Sequence, residues 1–282
     1  MKSVVVTGVS TGIGWGITKA LIAKGFRVFG SVRKQLDADR LRQEFGDRFV
    51  PLMFDVTDEV AVKTAAAKVS VALAGTTLAG LVNNAGVSAA GPLLNLPMAD
   101  VRHQIDVNLT GVIITTQAFA PLLYGGAERT GTPGRIVNIS SVGGKNGVPF
   151  LAPYNATKFS IEGLSEALRR ELLVLGVDVI IVAPGAVATQ IWAKAPVEDV
   201  ELYRDTPFYP ALQKVHSYMT SQGGKGLAPE VLGQAVLNAL TVAKPKARYS
   251  VAPNPLQTFL MANLPRRMVD RMMGGQLGLL PK

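Results

Sequence analysis

Cysteine is absent from this 282-residue sequence, which excludes thiol nucleophiles, disulfide bonds and thiolate metal ligands. Histidine is scarce, since only His103 and His216 occur, 113 positions apart. Zinc sites and Ser-His-Asp triads both need histidines that converge on one point. We therefore expect neither chemistry, and we predict no metal site.

Long hydrophobic runs are also missing, because no segment approaches the roughly 18 apolar residues of a membrane span. The first residues, MKSVVVTG, are typical of a β-strand and lack the apolar region of a signal peptide. These two observations predict a cytoplasmic protein.

Acidic residues are few, 20 against 29 Lys and Arg, which gives a net charge of +9. Six of these nine net charges lie between residues 244 and 282, which contain one acid, Asp270, and seven basic residues: Lys244, Lys246, Arg248, Arg266, Arg267, Arg271 and Lys282. No aromatic-basic motif accompanies this tail, so we expect no nucleic-acid partner. Peripheral contact with an anionic membrane stays open as an alternative.

Hydrophobic residues make up 48% of the chain, enough for a substantial core. Short β-branched runs alternate with segments of helical period, which predicts an α/β fold with a doubly wound parallel sheet. Seven strands are predicted at 3–7, 27–31, 49–54, 80–83, 135–140, 178–183 and 248–251. Helices are predicted at 13–24, 37–45, 58–73, 97–123, 154–175 and 229–241, with Thr57 as an N-cap and Pro229 at a first helical position.

We predict one catalytic domain over residues 1–252 and a C-terminal helical extension over 253–282. Residues 190–228 interrupt the α/β alternation with aromatic residues among prolines, so we interpret them as a substrate-binding insertion. In the extension, Pro265 divides two apolar stripes at helical spacing: Leu256, Phe259, Leu260, Leu264, Met268, Met272 and Met273. The stripes either pack on the core or cover the substrate cleft, and both alternatives predict that they are buried.

The strongest single motif is the glycine-rich segment 7–14, TGVSTGIG, at the predicted turn from the first strand to the first helix. Gly8 permits a tight turn, Gly12 leaves room for a pyrophosphate and Gly14 allows close helix-to-strand packing. Free N–H groups at the helix start then face the phosphates. The segment predicts a dinucleotide-binding Rossmann fold.

Further motifs follow along the chain in this order: Asn83-Asn84-Ala85-Gly86, Asn108, Ser140-Ser141, Tyr154-Asn155-Ala156-Thr157-Lys158, Pro184-Gly185 and Thr189. With its G-x3-G-x-G spacing, the chain resembles the compact branch of the short-chain dehydrogenase/reductase family from residue 3 to about residue 251. It is somewhat similar to the hydroxysteroid and retinol dehydrogenases of that family. The resemblance implies an oxidoreductase that works as a homodimer or homotetramer.

Tyr154 and Lys158 are four residues apart on a predicted helix, so they share one face and the ammonium can lower the pKa of the phenol. Ser141, at a strand end, can hydrogen-bond a substrate oxygen, with Ser140 as the competing candidate. The predicted chemistry is hydride transfer between a nicotinamide and a carbonyl, with Tyr154 as general acid or base. By resemblance, Asn108 holds a water near Lys158, and Lys158 bonds the nicotinamide ribose.

The residue types at the second strand end favour NADP(H) over NAD(H). Val32 occupies the place where NAD enzymes carry an acid, and Arg33 follows it. Asp55 is a candidate acceptor for the adenine amine. The full predicted cofactor set is Gly8, Ser10, Thr11, Gly12, Ile13, Gly14, Arg33, Asp55, Val56, Asn83, Ala85, Gly86, Tyr154, Lys158, Pro184, Gly185, Val187 and Thr189.

The predicted substrate is a hydrophobic secondary alcohol or ketone, because apolar side chains flank the expected mouth: Leu93, Leu94, Val148 and Phe150. The family resemblance implies that it is steroid-like, retinoid-like or otherwise lipid-like. The alternative function is a non-catalytic dinucleotide sensor or scaffold. Such a protein would keep the glycines but would not need the Ser141, Tyr154 and Lys158 set.

Overall fold

The core of the protein is a seven-stranded parallel sheet, seen in a computed structural model that describes residues 1–125, 129–187, 197–222 and 226–281. Its strands are β1 (Ser3–Val6), β2 (Arg27–Val32), β3 (Phe49–Met53), β4 (Gly80–Asn83), β5 (Arg135–Ile139), β6 (Asp178–Pro184) and β7 (Arg248–Val251). They follow the order β3-β2-β1-β4-β5-β6-β7, and every neighbouring pair is parallel. The doubly wound Rossmann fold is confirmed, and each strand lies within one residue of its predicted bounds.

Helices cover both faces of the sheet. One face carries α1 (Gly12–Ala23), α2 (Gln35–Phe45) and α8 (Pro229–Thr241), and the other carries α3 (Glu59–Ala72), α5 (Gly111–Phe119) and α6 (Ala152–Glu171), with α4 (Met98–Ile105) packed on α6. Along β1, Val4 and Val6 belong to the first core cluster and Val5 to the second. Because helices cover both faces of the strands, neither face is exposed to solvent, which explains their continuous apolar runs.

Two local predictions need correction. The helix predicted at 97–123 is interrupted, because a π-helical turn at Asp106–Thr110 separates α4 from α5. The N-cap of α3 is Asp58, whose carboxylate accepts the Ala61 N–H at 2.9 Å. Thr57 does not cap the helix, because its hydroxyl donates to Asp55 at 2.9 Å.

The insertion contains a helix that the sequence reasoning missed, α7 (Tyr209–Gln222). Its Ala211 and Leu212 form a small buried cluster with Phe150. Leu277 and Leu279, at the C-terminal end of the chain, pack against the same cluster. The insertion and the C-terminal extension therefore meet beside the loop that leads into α6.

The C-terminal extension forms α9 (Pro255–Asn263) and α10 (Arg266–Leu277), with Pro265 between them as predicted. The expectation that their apolar stripe is buried is wrong for most of its members. Leu256, Phe259 and Leu260 are 72%, 64% and 46% exposed, and Met268 and Met272 are about half exposed. α9 buries none of its residues, so its part of the stripe does not pack on the core formed by the described residues. Within the described residues, no helix has both the length and the apolar character needed to cross a membrane.

Candidate active site

Most of the predicted site residues lie at one edge of the sheet. Parallel strands end on the same side, so the segments after β1, β4, β5 and β6 are brought together there. The strand order reverses between β1 and β4, and open α/β sheets bind their ligands at such a switch point. The fold therefore places the glycine-rich segment beside the strand ends that carry the serine and asparagine motifs.

The glycine-rich segment is packed too closely for larger residues. Gly8 has φ of +68°, a left-handed conformation that favours glycine. A Cβ on Gly14 would lie 2.1 Å from the Gly8 carbonyl oxygen, so only glycine lets α1 begin this close to β1. The turn leaves the first N–H groups of α1 free of helical partners, which is the arrangement that binds phosphate.

Asn84 holds this turn against β4, a role that the sequence reasoning missed. Its side-chain amide donates to the carbonyls of Thr7 at 2.9 Å and Gly8 at 3.0 Å. The Thr7 hydroxyl in turn accepts the N–H groups of Asn84 and Ala85. A polar residue beside the predicted Asn83 and Ala85 was the signal that could have found it.

The other predicted cofactor residues lie in different environments, some in the core and some at the site edge. The side chain of Asn83 is buried, bonded to Asn138 at 2.8 Å and Thr115 at 2.7 Å, so it serves the interior and does not face the cleft. Val56 is likewise a core side chain. Pro184 ends β6, and Gly185 and Val187 follow it, with the Val187 side chain in the core. Thr189 lies outside the described residues.

Arg33 and Asp55 form an exposed pair beyond β2 and β3. The Arg33 guanidinium lies 3.3 Å from the Asp55 carboxylate. Burial raises the pKa of Asp55, but hydrogen bonds from Thr57 and Arg33 outweigh it, so the net pKa lies below its usual value. Val32, in contrast, is only 3% exposed and belongs to the core. Arg33 is therefore an exposed cation at this strand end, and Lys34 beside it is exposed as well.

Of the two serines after β5, Ser141 is the one that meets Tyr154. Ser140 is buried, and its hydroxyl donates to Glu162 at 2.7 Å. The Ser141 hydroxyl accepts the Gly143 N–H at 3.0 Å and lies close enough to the Tyr154 phenol to lower its pKa. The arrangement favours Ser141 over Ser140 as the group that bonds a substrate oxygen.

Tyr154 and Lys158 lie in the first half of α6, one turn apart. The Lys158 ammonium nitrogen is 5.6 Å from the Tyr154 ring centroid and donates to the Ile139 carbonyl at 3.0 Å. Burial raises the pKa of Tyr154, and the hydrogen bond with Ser141 lowers it by less. Burial also lowers the pKa of Lys158 to about 8.

The raised pKa corrects the expectation that Lys158 holds the phenol pKa below its usual value. The cost of burying a phenolate is the larger effect, so Tyr154 stays protonated at neutral pH. A protonated phenol beside a serine hydroxyl is suited to donate a proton to a developing alkoxide.

Asn108 lies in the π-helical turn and is fully bonded to its surroundings. Its amide donates to Val87 O at 2.9 Å and to Thr157 at 3.2 Å, and its oxygen accepts the Val87 N–H at 2.8 Å. A Cβ on Gly86 would lie 3.3 Å from the Asn108 oxygen and 3.8 Å from the Lys158 nitrogen. Asn108 is therefore near Lys158, while the water assigned to it by resemblance stays a prediction.

A mostly buried ion pair, which the sequence reasoning missed, supports the serine segment. Arg248 on β7 donates to the Glu162 carboxylate on α6 at 2.9 Å. Glu162 also accepts the Ser140 hydroxyl, and Arg248 reaches the Ser141 carbonyl at 3.5 Å. The pair thus ties α6, β7 and the end of β5 together around the site.

Comparison with known proteins agrees with this geometry. The family model for short chain dehydrogenase matches residues 2–199. An NADPH-dependent 3-dehydrocapnine reductase from Ornithobacterium rhinotracheale is 37% identical over 272 residues, which cover 96% of this chain and 95% of the relative. Retinol dehydrogenase 16 from Mus musculus is 30% identical over 287 residues, covering 96% and 87%.

Among solved structures, a short-chain dehydrogenase from Streptomyces avermitilis has a TM-score of 0.77 and 27% identity, covering 99% of this chain and 97% of that one. Fold, site residues and relatives therefore agree that the chain belongs to the short-chain dehydrogenase family and is an NAD(P)-dependent oxidoreductase.

Proposed function

We propose that the protein reduces a ketone on an apolar, lipid-like substrate with NADPH, and that Tyr154 donates the proton. The observation that carries this proposal is the contact between the protonated Tyr154 phenol and the Ser141 hydroxyl, with Lys158 one turn away. A relative named as an NADPH-dependent reductase supports the reductive direction. A non-catalytic dinucleotide sensor would have no use for this arrangement.

The chain's own groups divide the chemistry between them. A bound dinucleotide would supply the hydride. Ser141 would hold the substrate oxygen by a hydrogen bond beside the Tyr154 phenol. Tyr154 gives its proton to that oxygen as negative charge develops there. Lys158 is the nearby cation that stabilises the phenolate left behind.

We propose NADPH as the preferred cofactor because Arg33 is an exposed cation after β2, where a 2′-phosphate would bind. The glycine-rich turn leaves helix N–H groups for the pyrophosphate, and no acidic side chain occupies position 32 to repel a phosphate. Asp55 pairs with Arg33 and would have to share it with the phosphate, or hold the adenine amine as predicted.

The proposed substrate class rests on the apolar surroundings of the site loop. Phe150, between Ser141 and Tyr154 in sequence, has φ of +66°, a conformation that is unfavourable for phenylalanine. Its ring packs edge-on against Phe208 of the insertion at 6.3 Å. We infer that this turn anchors the apolar insertion beside the loop that joins Ser141 to Tyr154, which makes the surroundings of the site apolar. The steroid-like and retinoid-like substrates, the homodimer or homotetramer and the cytoplasmic location stay predictions.

The catalytic proposal is tested with Tyr154→Phe, followed by NADPH consumption over a panel of lipid-like carbonyl compounds that includes the ketone 3-dehydrocapnine and the aldehyde retinal. Turnover should fall by at least about a hundredfold, while the NADPH dissociation constant changes by less than a few fold. The control is Tyr124→Phe, because Tyr124 lies at the opposite edge of the sheet, near the start of β5. Substantial activity of Tyr154→Phe would refute the assignment.

The cofactor proposal is tested with Arg33→Ala and fluorescence titration of NADPH and NADH. Loss of a charge-assisted bond to phosphate should weaken NADPH binding roughly tenfold to a hundredfold, with NADH affected less than threefold. Arg42→Ala, an exposed change on α2, is the matched control. Substitution of Arg33 tests cofactor preference more directly than substitution of Val32 by aspartate, because Val32 is buried and a carboxylate there would destabilise the fold. Equal losses for both nucleotides would contradict the phosphate contact.

A further inference from the structure

α9 is a helix with an apolar face that the described residues leave exposed. Leu256, Phe259 and Leu260 follow the i, i+3, i+4 spacing of one helix face, and all three side chains are largely exposed. None of the nine residues of α9 is buried. A soluble protein rarely leaves such a contiguous apolar face uncovered unless something binds there.

α10 presents cations and methionines side by side. Its inward side buries Val269 and Gly274. Arg267, 96% exposed, and Arg271 are one turn apart, and Met268 and Met272 follow each of them directly. The two Arg-Met pairs give α10 an outward surface that is both apolar and basic.

We propose that α9 and the outward side of α10 bind the surface of an anionic membrane without crossing it. This C-terminal face is defined by Leu256, Phe259, Leu260, Arg267, Met268, Arg271 and Met272. Apolar side chains of an interfacial helix enter the headgroup boundary, and flanking cations attract anionic lipids. The proposal does not depend on the proposed reaction.

Charge decides between lipid and the other occupants. The C-terminal face carries Arg267 and Arg271, with one acid among them, Asp270, 3.7 Å from Arg267. A second copy of the chain meeting this face about a twofold axis would bring like charge against like charge. The substrate cleft is an equally poor match, because Leu256, Phe259 and Leu260 are exposed to solvent. An anionic lipid surface is the partner that satisfies both the apolar residues and the cations.

The test is co-sedimentation of the full-length protein with two kinds of vesicle. One contains phosphatidylcholine alone, and the other also contains about 30% phosphatidylglycerol, an anionic lipid that gives the vesicle the negative surface of a charged leaflet. Binding should need the anionic lipid and weaken as salt screens the charges. Arg267→Gln with Arg271→Gln should lower the partition coefficient roughly thirtyfold. Leu256→Ser with Phe259→Ser should lower it by at least about tenfold.

Matched controls lie elsewhere on the surface. Lys24→Gln with Arg42→Gln removes two exposed cations, and Leu173→Ser with Val174→Ser removes two exposed apolar side chains, 73% and 87% exposed. Both should bind vesicles as the unmodified protein does. NADPH binding by each variant shows that the fold is intact.

Three outcomes would overturn the proposal. The first is no binding to anionic vesicles at low salt. The second is equal loss of binding in the controls, which would show a diffuse charge effect. The third is that the C-terminal variants dissociate an oligomer in sedimentation velocity while vesicle binding persists, which would make the face a contact between copies of this chain.

Discussion

Replacing Lys158 with methionine should make the protein more stable while removing its activity. Lys158 is only 6% exposed, and burial lowers its pKa from 10.5 to about 8. A pKa difference of about 2.5 corresponds to about 3 kcal/mol that the native state loses by holding the charged form. Methionine keeps the apolar stem and removes the charge. It also removes the hydrogen bond to Ile139 O, at a cost of about 1 kcal/mol.

The net expectation at pH 7 is a free energy of unfolding about 2 kcal/mol higher for Lys158→Met than for the unmodified protein. The sign follows from proton binding. Between pH 8 and 10.5 the unfolded chain binds more protons at this lysine than the native state does, so the unmodified protein gains stability as the pH rises through that window. Below pH 8 the penalty is fully present. Near pH 11 it has vanished, and the variant should be slightly the less stable of the two.

The assay is urea unfolding of the nucleotide-free protein at pH 7, 9 and 10.5, followed by circular dichroism and compared at equal m-value. Lys68→Met, at an exposed site on α3, should change the free energy of unfolding by less than about 0.5 kcal/mol. A variant that is less stable than the unmodified protein at pH 7, or a difference that does not shrink with rising pH, would refute the reasoning about burial.

Three further predictions concern the surroundings of Tyr154. Ser141→Ala removes the hydrogen bond that lowers the Tyr154 pKa. The pH profile of alcohol oxidation, in which Tyr154 acts as base, should therefore shift to higher pH and kcat should fall roughly a hundredfold; an unshifted profile would count against the contact. Glu162→Gln leaves the Arg248 cation without its partner, and urea unfolding should show a loss of about 1–3 kcal/mol, with no loss contradicting the structural role of the pair. Truncation after Val251 should raise the Michaelis constant for apolar ketones far more than the NADPH dissociation constant, because the removed segment packs beside Phe150; equal effects on both would indicate a general loss of stability.

The sequence by itself determined the sheet and the position of the chemistry. Strand bounds followed from β-branched runs between helical segments, since local periodicity records whether a strand is covered on both faces. The glycine-rich turn and the i, i+4 pair of Tyr154 and Lys158 are also local, because backbone geometry fixes what residues one turn apart can do. These features needed no knowledge of what packs on what.

Tertiary structure decided what depends on distant partners. Glu162 and Arg248 are 86 positions apart, so no local pattern announced their ion pair. Thr57 was predicted to cap a helix, but in the structure its hydroxyl donates to Asp55. The pKa of Tyr154 depends on burial, which the spacing of residues in the sequence does not reveal. Helical spacing predicted the apolar stripe of α9 correctly but not its exposure, because periodicity gives the direction of a face and only the surrounding structure determines whether anything covers it.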